Sequence, residues 1–124
     1  MIAVDTSSLI AYLSGSTGHD VEAVDVALEH ARLVLPPVVV AELFTDPALT
    51  GPVSDLLQAI PRLEVLSGYW ERAGKLRAHV ASKGRKARLA DSLIAQSCLD
   101  HDVGLVTRDA DFQGFRRWAG LRLL

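Results

Sequence analysis

The chain has little with which to staple, export or anchor itself. It carries one cysteine, Cys98, so no intrachain disulfide can form. A lone cysteine in an apolar helical stretch ordinarily serves as a small buried side chain, and a reducing compartment fits such usage. The opening Met1-Ile2-Ala3-Val4-Asp5 holds no basic leader, and Asp5 would interrupt a signal-peptide core. The longest apolar run, Leu33 to Ala41, contains two prolines and is about half the length of a membrane span. There is no excess of one charge: 13 Lys and Arg stand against 15 Asp and Glu, a formal net charge of −2. That balance by itself gives no sign of nucleic-acid binding. The four histidines, His19, His30, His79 and His101, lack ligand-like spacing, which argues against zinc. Internal repeats, low-complexity segments and linkers are also missing. The expectation is a cytoplasmic protein without a membrane segment, forming one domain over residues 1–124.

The apolar fraction of 49% and the 124-residue length are enough for a packed core. Short apolar strands alternate with helical patterns. Ile2–Val4 reads as a buried strand ended by Asp5-Thr6-Ser7-Ser8, a helix start. Helical stripes follow from Leu9 and from about Asp20 to Arg32. Leu33–Leu35 is a second strand, stopped by Pro36-Pro37. Residues 37–45 read as a helix despite Val38-Val39-Val40, because proline suits a first helical turn. Val53 to Ile60 is another helix, and Leu63–Leu66 a third strand. Ser67 looks like the cap of a helix over 68–82 closed by Gly84. A helix over 90–99, a fourth strand at 104–107, a short helix within 109–115 and an edge strand at 121–123 complete the pattern. Alternation of this kind predicts a three-layer α/β/α fold with a central parallel sheet of four to five strands.

The acids fall at telling places. Asp5 follows the first strand and Asp109 the fourth; Asp91 opens the helix that feeds the fourth strand, and Glu42 lies in the helix after the second. Ligands of a parallel α/β sheet bind outside the carboxyl ends of its strands. Each acid also has a plain structural use: Asp5 as a helix cap, Asp91 against a helix dipole, Glu42 on a solvated face, Asp109 and Asp111 as turn formers. Together, three or four converging carboxylates would repel one another unless a cation joined them. Oxygen-only ligation suits Mg²⁺ or Mn²⁺.

The segments Val4-Asp5-Thr6-Ser7-Ser8-Leu9-Ile10, Ala41-Glu42-Leu43, Ala90-Asp91-Ser92-Leu93-Ile94-Ala95 and Val106-Thr107-Arg108-Asp109-Ala110-Asp111-Phe112 resemble, in order and spacing, the PIN-domain nucleases. The likeness is greatest to the toxin ribonucleases of VapBC toxin–antitoxin pairs and spans essentially the whole chain. It departs at Pro36-Pro37, where many members open the glutamate-bearing helix with Ser or Thr. The resemblance implies strand order 3-2-1-4-5, Mg²⁺- or Mn²⁺-dependent endonucleolytic cleavage of RNA, a homodimer and a cognate antitoxin partner. On that footing Asp5, Glu42, Asp91 and Asp109 are the expected catalytic residues. Asp5, Asp91 and Asp109 would face metal, and Glu42 would bind metal or orient water. Thr6, Ser7, Thr107 and Asp111 would support them.

Positive charge beside these acids is the expected means of holding a polyanion. Lys83, Arg85, Lys86 and Arg88 precede Asp91, Arg108 precedes Asp109, and Arg116 and Arg117 follow. Arg85, Lys86, Arg88 and Arg108 are the expected RNA contacts, made to phosphate rather than base. Tyr69, Trp70 and Trp118 are expected in packing more than in base stacking. A haloacid-dehalogenase-type phosphatase would need an Asp where Ser7 stands, and a receiver domain would need an acidic pair and a phosphoacceptor Asp that are missing. An RNA-processing nuclease, a DNA nuclease and a non-catalytic PIN-like binding module remain as alternatives.

Overall fold

The protein, described over residues 1–124 by a computed structural model, is organised around a strand only three residues long. This strand, β1 (Ile2–Val4), is central because Ala3 and Val4 are wholly buried from both faces, as in sheets covered by helices on each side. It pairs in parallel with β2 (Leu33–Val34) on one flank and β3 (Gly104–Val106) on the other, giving the order β2-β1-β3. Ile2 stands opposite Leu33 and Gly104, and Val4 opposite Val106.

The sheet therefore has three strands where four or five were expected. Single parallel bridges, Leu35 to Arg62 and Leu105 to Leu123, mark the outer places, so the expected lateral order survives with its edges reduced. The reason on the first side is chemical. Pro36 and Pro37 follow Leu35 and have no N–H to offer, so the segment at Arg62 finds one ladder step and no second. Glu64, Val65 and Leu66 consequently lie exposed.

Seven helices cover the sheet: α1 (Thr6–Leu13), α2 (His19–Glu29), α3 (Pro37–Leu43), α4 (Gly51–Ala59), α5 (Tyr69–Ser82), α6 (Leu89–His101) and α7 (Gln113–Ala119), with a 3-10 turn at Ala110–Phe112. Pro37 sits in the first turn of α3, where its missing N–H costs nothing, and the valine run is helical as expected. Gly68, in the left-handed region at φ 81°, precedes α5 in the capping place expected for Ser67, whose carbonyl instead accepts from Arg72. Helices α5 and α6 pack together, and α1 packs on α2 and α3. One cluster of 23 buried apolar residues runs from Ala3 and Val4 through Leu33–Leu35 and Ile94 to Leu105, Phe112 and Phe115. Cys98 belongs to it, and burial pushes its thiol up to about 12, an inert packing role. No helix is long and apolar enough to cross a membrane.

Candidate metal centre

The end of β1 is tied down by Asp5. Its buried carboxylate accepts the Ser8 amide at 3.0 Å and so caps α1. The same carboxylate accepts the Ser7 hydroxyl at 2.9 and 2.8 Å and the Thr107 hydroxyl at 2.6 Å. Thr107 Oγ1 accepts in turn from the Asp109 amide at 3.0 Å. The exits of β1 and β3 are thus joined through one hydroxyl, and Asp109 is placed by it. Asp109 Oδ1 accepts the Asp111 amide at 2.9 Å, folding the 3-10 turn back so that both side chains face the same space. The cap and turn uses of Asp5 and Asp109 are therefore real, and they are the means by which the acids are positioned.

Helix α6 brings in Asp91 within its first turn. Carboxylate oxygens of Asp91, Asp109 and Asp111 lie within 4.8 Å of one another. Asp91 Oδ2 is buried with no hydrogen-bond partner. Burial chiefly, then the charges of Asp109, Asp111 and Glu42 against an opposing Arg88, push the Asp91 carboxyl up to about 6. An unpartnered buried oxygen among three carboxylates, with no His or Cys in the group, suits a hard divalent cation better than zinc. Glu42 approaches from α3, with Oε1 accepting from Thr6 Oγ1 at 2.7 Å.

The trio thus contains Asp111, expected only as a support, beside Asp91 and Asp109, while Asp5 stands outside it with its oxygens bonded to Ser7, Ser8 and Thr107. A signal for Asp111 was there in the Asp-Ala-Asp spacing, which a 3-10 turn converts into two acids on one side. Of the basic residues, Lys86 and Arg88 lie 3.5 and 3.6 Å from Asp111. Arg85 makes no ion pair with the trio and lies beside Gly114 on α7. Arg108 is held by Asp20 at 2.7 Å and by the Thr17 carbonyl at 3.1 Å, which ties the exit of β3 to α2. Tyr69 is buried and donates to the Leu93 carbonyl, whereas Trp70 is 62% exposed.

With this geometry in hand, the comparisons are consistent with one another. The family model "PIN domain" matches residues 2–117. In three dimensions the chain is similar to VapBC2 from Rickettsia felis, solved bound to a DNA fragment from their promoter, with TM-score 0.74 and 18% identity over 100% of this chain and 98% of that one. It is similar also to VapBC-5 from Mycobacterium tuberculosis, a member of the VapBC family of toxin–antitoxin systems, with TM-score 0.66 and 23% identity over 99% and 96%. FitAcB from Neisseria gonorrhoeae gives TM-score 0.70 and 21% identity over 100% and 96%. No curated protein matches the chain in sequence. At these identities the solved structures speak for the fold alone, and the family model, matching residues 2–117, shows the family: this chain belongs to the PIN-domain family.

Proposed function

We propose that this protein is the toxin of a type II toxin–antitoxin pair, a divalent-metal-dependent endoribonuclease that hydrolyses RNA phosphodiester bonds. The observation that carries the reading is the convergence of Asp91, Asp109 and Asp111 around an unpartnered buried oxygen. The toxin assignment and the cognate antitoxin draw on the likeness to toxin–antitoxin structures, and the homodimer on the family resemblance of the sequence alone.

Asp91, Asp109 and Asp111 would hold a Mg²⁺ or Mn²⁺ ion. Such an ion supplies an acidified water and positive charge for the phosphate under attack. Glu42, steadied by the Thr6 hydroxyl at 2.7 Å, would orient the attacking water and take its proton. Asp5 would act as a positioning residue, since it holds Thr107 and Thr107 holds the Asp109 amide. Ser7 neutralises part of the demand of the Asp5 carboxylate by donating to both its oxygens. Lys86 and Arg88, already beside Asp111, would meet the phosphate backbone of the substrate.

The test is incubation of purified protein with total RNA, with and without EDTA, beside Asp91→Asn. Cleavage should need the metal and should fall by about 100-fold or more in the variant. Near-normal cleavage by the variant would overturn the reading. Expression alone should arrest growth, and co-expression of the adjacent gene should relieve it; no arrest would favour an RNA-processing role for the same site.

A further inference from the structure

Arg85, Gln113, Arg116 and Arg117 line a cleft of about 420 Å³ with no apolar residue in its wall. Of the seven other arginines, four are answered by carboxylates: Arg72 by Asp100, Arg88 by Asp111, Arg108 by Asp20 and Arg122 by Asp102. The three guanidinium groups of the cleft have no such partner. Arg116 donates only to the Gln113 side-chain oxygen, at 3.3 Å, and Arg117 lies over the Trp118 ring, 5.1 Å from its centroid. In a chain with more acids than bases, three unanswered cations around one hole favour an anion there.

The walls are fixed rather than accidental. A Cβ at Gly114 would come 3.1 Å from Arg85 Cβ, so the missing side chain lets Arg85 lie close against α7. Arg77 Nε donates to the Ala87 carbonyl at 2.9 Å and His79 Nε2 to the Trp118 carbonyl at 3.1 Å, fastening both sides of the cleft to α5. From Arg85 the chain leads directly to Lys86 and Arg88, which lie 3.5 and 3.6 Å from Asp111 of the carboxylate trio. Along the chain, Lys86 and Arg88 therefore connect cleft-lining Arg85 to the acids.

We infer that the cleft formed by Arg85, Gln113, Arg116 and Arg117 binds a backbone phosphate of a single-stranded RNA whose cleaved phosphate lies at the carboxylate trio. The inference rests on the proposed nuclease reading for its choice of ligand. Guanidinium forks match phosphate oxygens in pairs, and a strand carrying a phosphate at every nucleotide can occupy the cleft and the trio together. An isolated anion would gain nothing from Lys86 and Arg88, which connect the two along the chain.

The experiment is binding without cleavage. A labelled single-stranded RNA of about 20 nucleotides, long enough to neutralise several contacts, is titrated with protein in EDTA across a salt series. Wild type should bind. Arg116→Gln/Arg117→Gln should bind about tenfold more weakly, with the salt slope reduced by about 0.7 for the one lost phosphate contact. Gln113→Glu keeps every arginine, alters one exposed side chain and should also weaken binding. Asp91→Asn should bind at least as well as wild type, so loss of cleavage with binding intact speaks to the metal site alone. If RNA binding is variant-sensitive but no cleavage occurs with metal, the nuclease reading fails, and with it the placing of a cleaved phosphate at the trio, while the cleft stands as a phosphate site. Unchanged affinity and slope in both cleft variants, or wild type that binds only inorganic phosphate or a polyglutamate peptide, overturns the inference.

Discussion

Replacing Asp91 by Asn should stabilise the metal-free protein while abolishing its response to divalent cations. Burial first, and Asp109 next, raise the Asp91 carboxyl from 3.8 to about 6. A carboxyl whose folded value is raised binds its proton more tightly folded than unfolded. Its penalty is therefore absent below 3.8, grows as pH rises towards 6, and is full above that. At about 1.36 kcal/mol per unit the full penalty would be about 3 kcal/mol. Asp91 is only half-buried, and solvent screening reduces this to about 1–2 kcal/mol. The Asn variant escapes it. At pH 7.5 in EDTA its Tm should exceed that of wild type by about 3–8 °C for a domain of this size. At pH 4 the two should converge. With Mg²⁺ or Mn²⁺ at about 100 times its Kd, wild type should gain about 2.7 kcal/mol and overtake the variant, which should hardly shift. Differential scanning calorimetry in both buffers reads all of this. A variant that melts below wild type in EDTA, with both proteins rising equally on adding metal, would refute the electrostatic reasoning and the cation site with it.

Thr107→Val removes the hydroxyl that joins Asp5 to the Asp109 amide. It should cost about 1–3 kcal/mol in urea unfolding, because Asp5 is left short of a donor while buried, and an unchanged midpoint would contradict this. The Asp20 carboxyl is held down at about 2, mainly by its hydrogen bond from Arg108. Its contribution is present above its unfolded value of 3.8 and lost as pH falls through about 2. Asp20→Asn should accordingly flatten the dependence of Tm on pH between those values, and a profile parallel to wild type would count against the pair. Ala31, just past the C-cap residue His30 of α2, stands in the left-handed region at φ 53°. Ala31→Gly should raise stability by about 0.5–1 kcal/mol, since glycine bears that conformation without a Cβ penalty; a loss in thermal unfolding would show that the strain is absorbed elsewhere.

Much of the fold lay open in the sequence because its signals are local. The apolar triplets that become β1 and β3, the stripes of α2, α5 and α6, and the proline at the start of α3 are decided by neighbours within a turn or a strand. So was the standing of Asp5 and Asp109 just past strand ends, which parallel topology carries to one edge of the sheet. The outer strands were misjudged because strand length depends on the partner. The segment Leu63 to Leu66, apolar but for Glu64, could have paired further had β2 been able to continue past Leu35.

What the sequence by itself determined is the alternation of strand and helix and the list of acids that could meet. Only the tertiary structure decided which of them do. Asp91 and Asp109 lie on different elements, and Asp111 turns towards them because a 3-10 turn closes on Asp109. Arg108 and Asp20 pair across most of the chain, and the cleft of Arg85 with Arg116 and Arg117 exists because Gly114 lets two distant segments touch. Periodicity is a property of adjacent residues, whereas sharing an ion or a phosphate needs oxygen and nitrogen atoms placed to within an ångström, and that placement comes from packing.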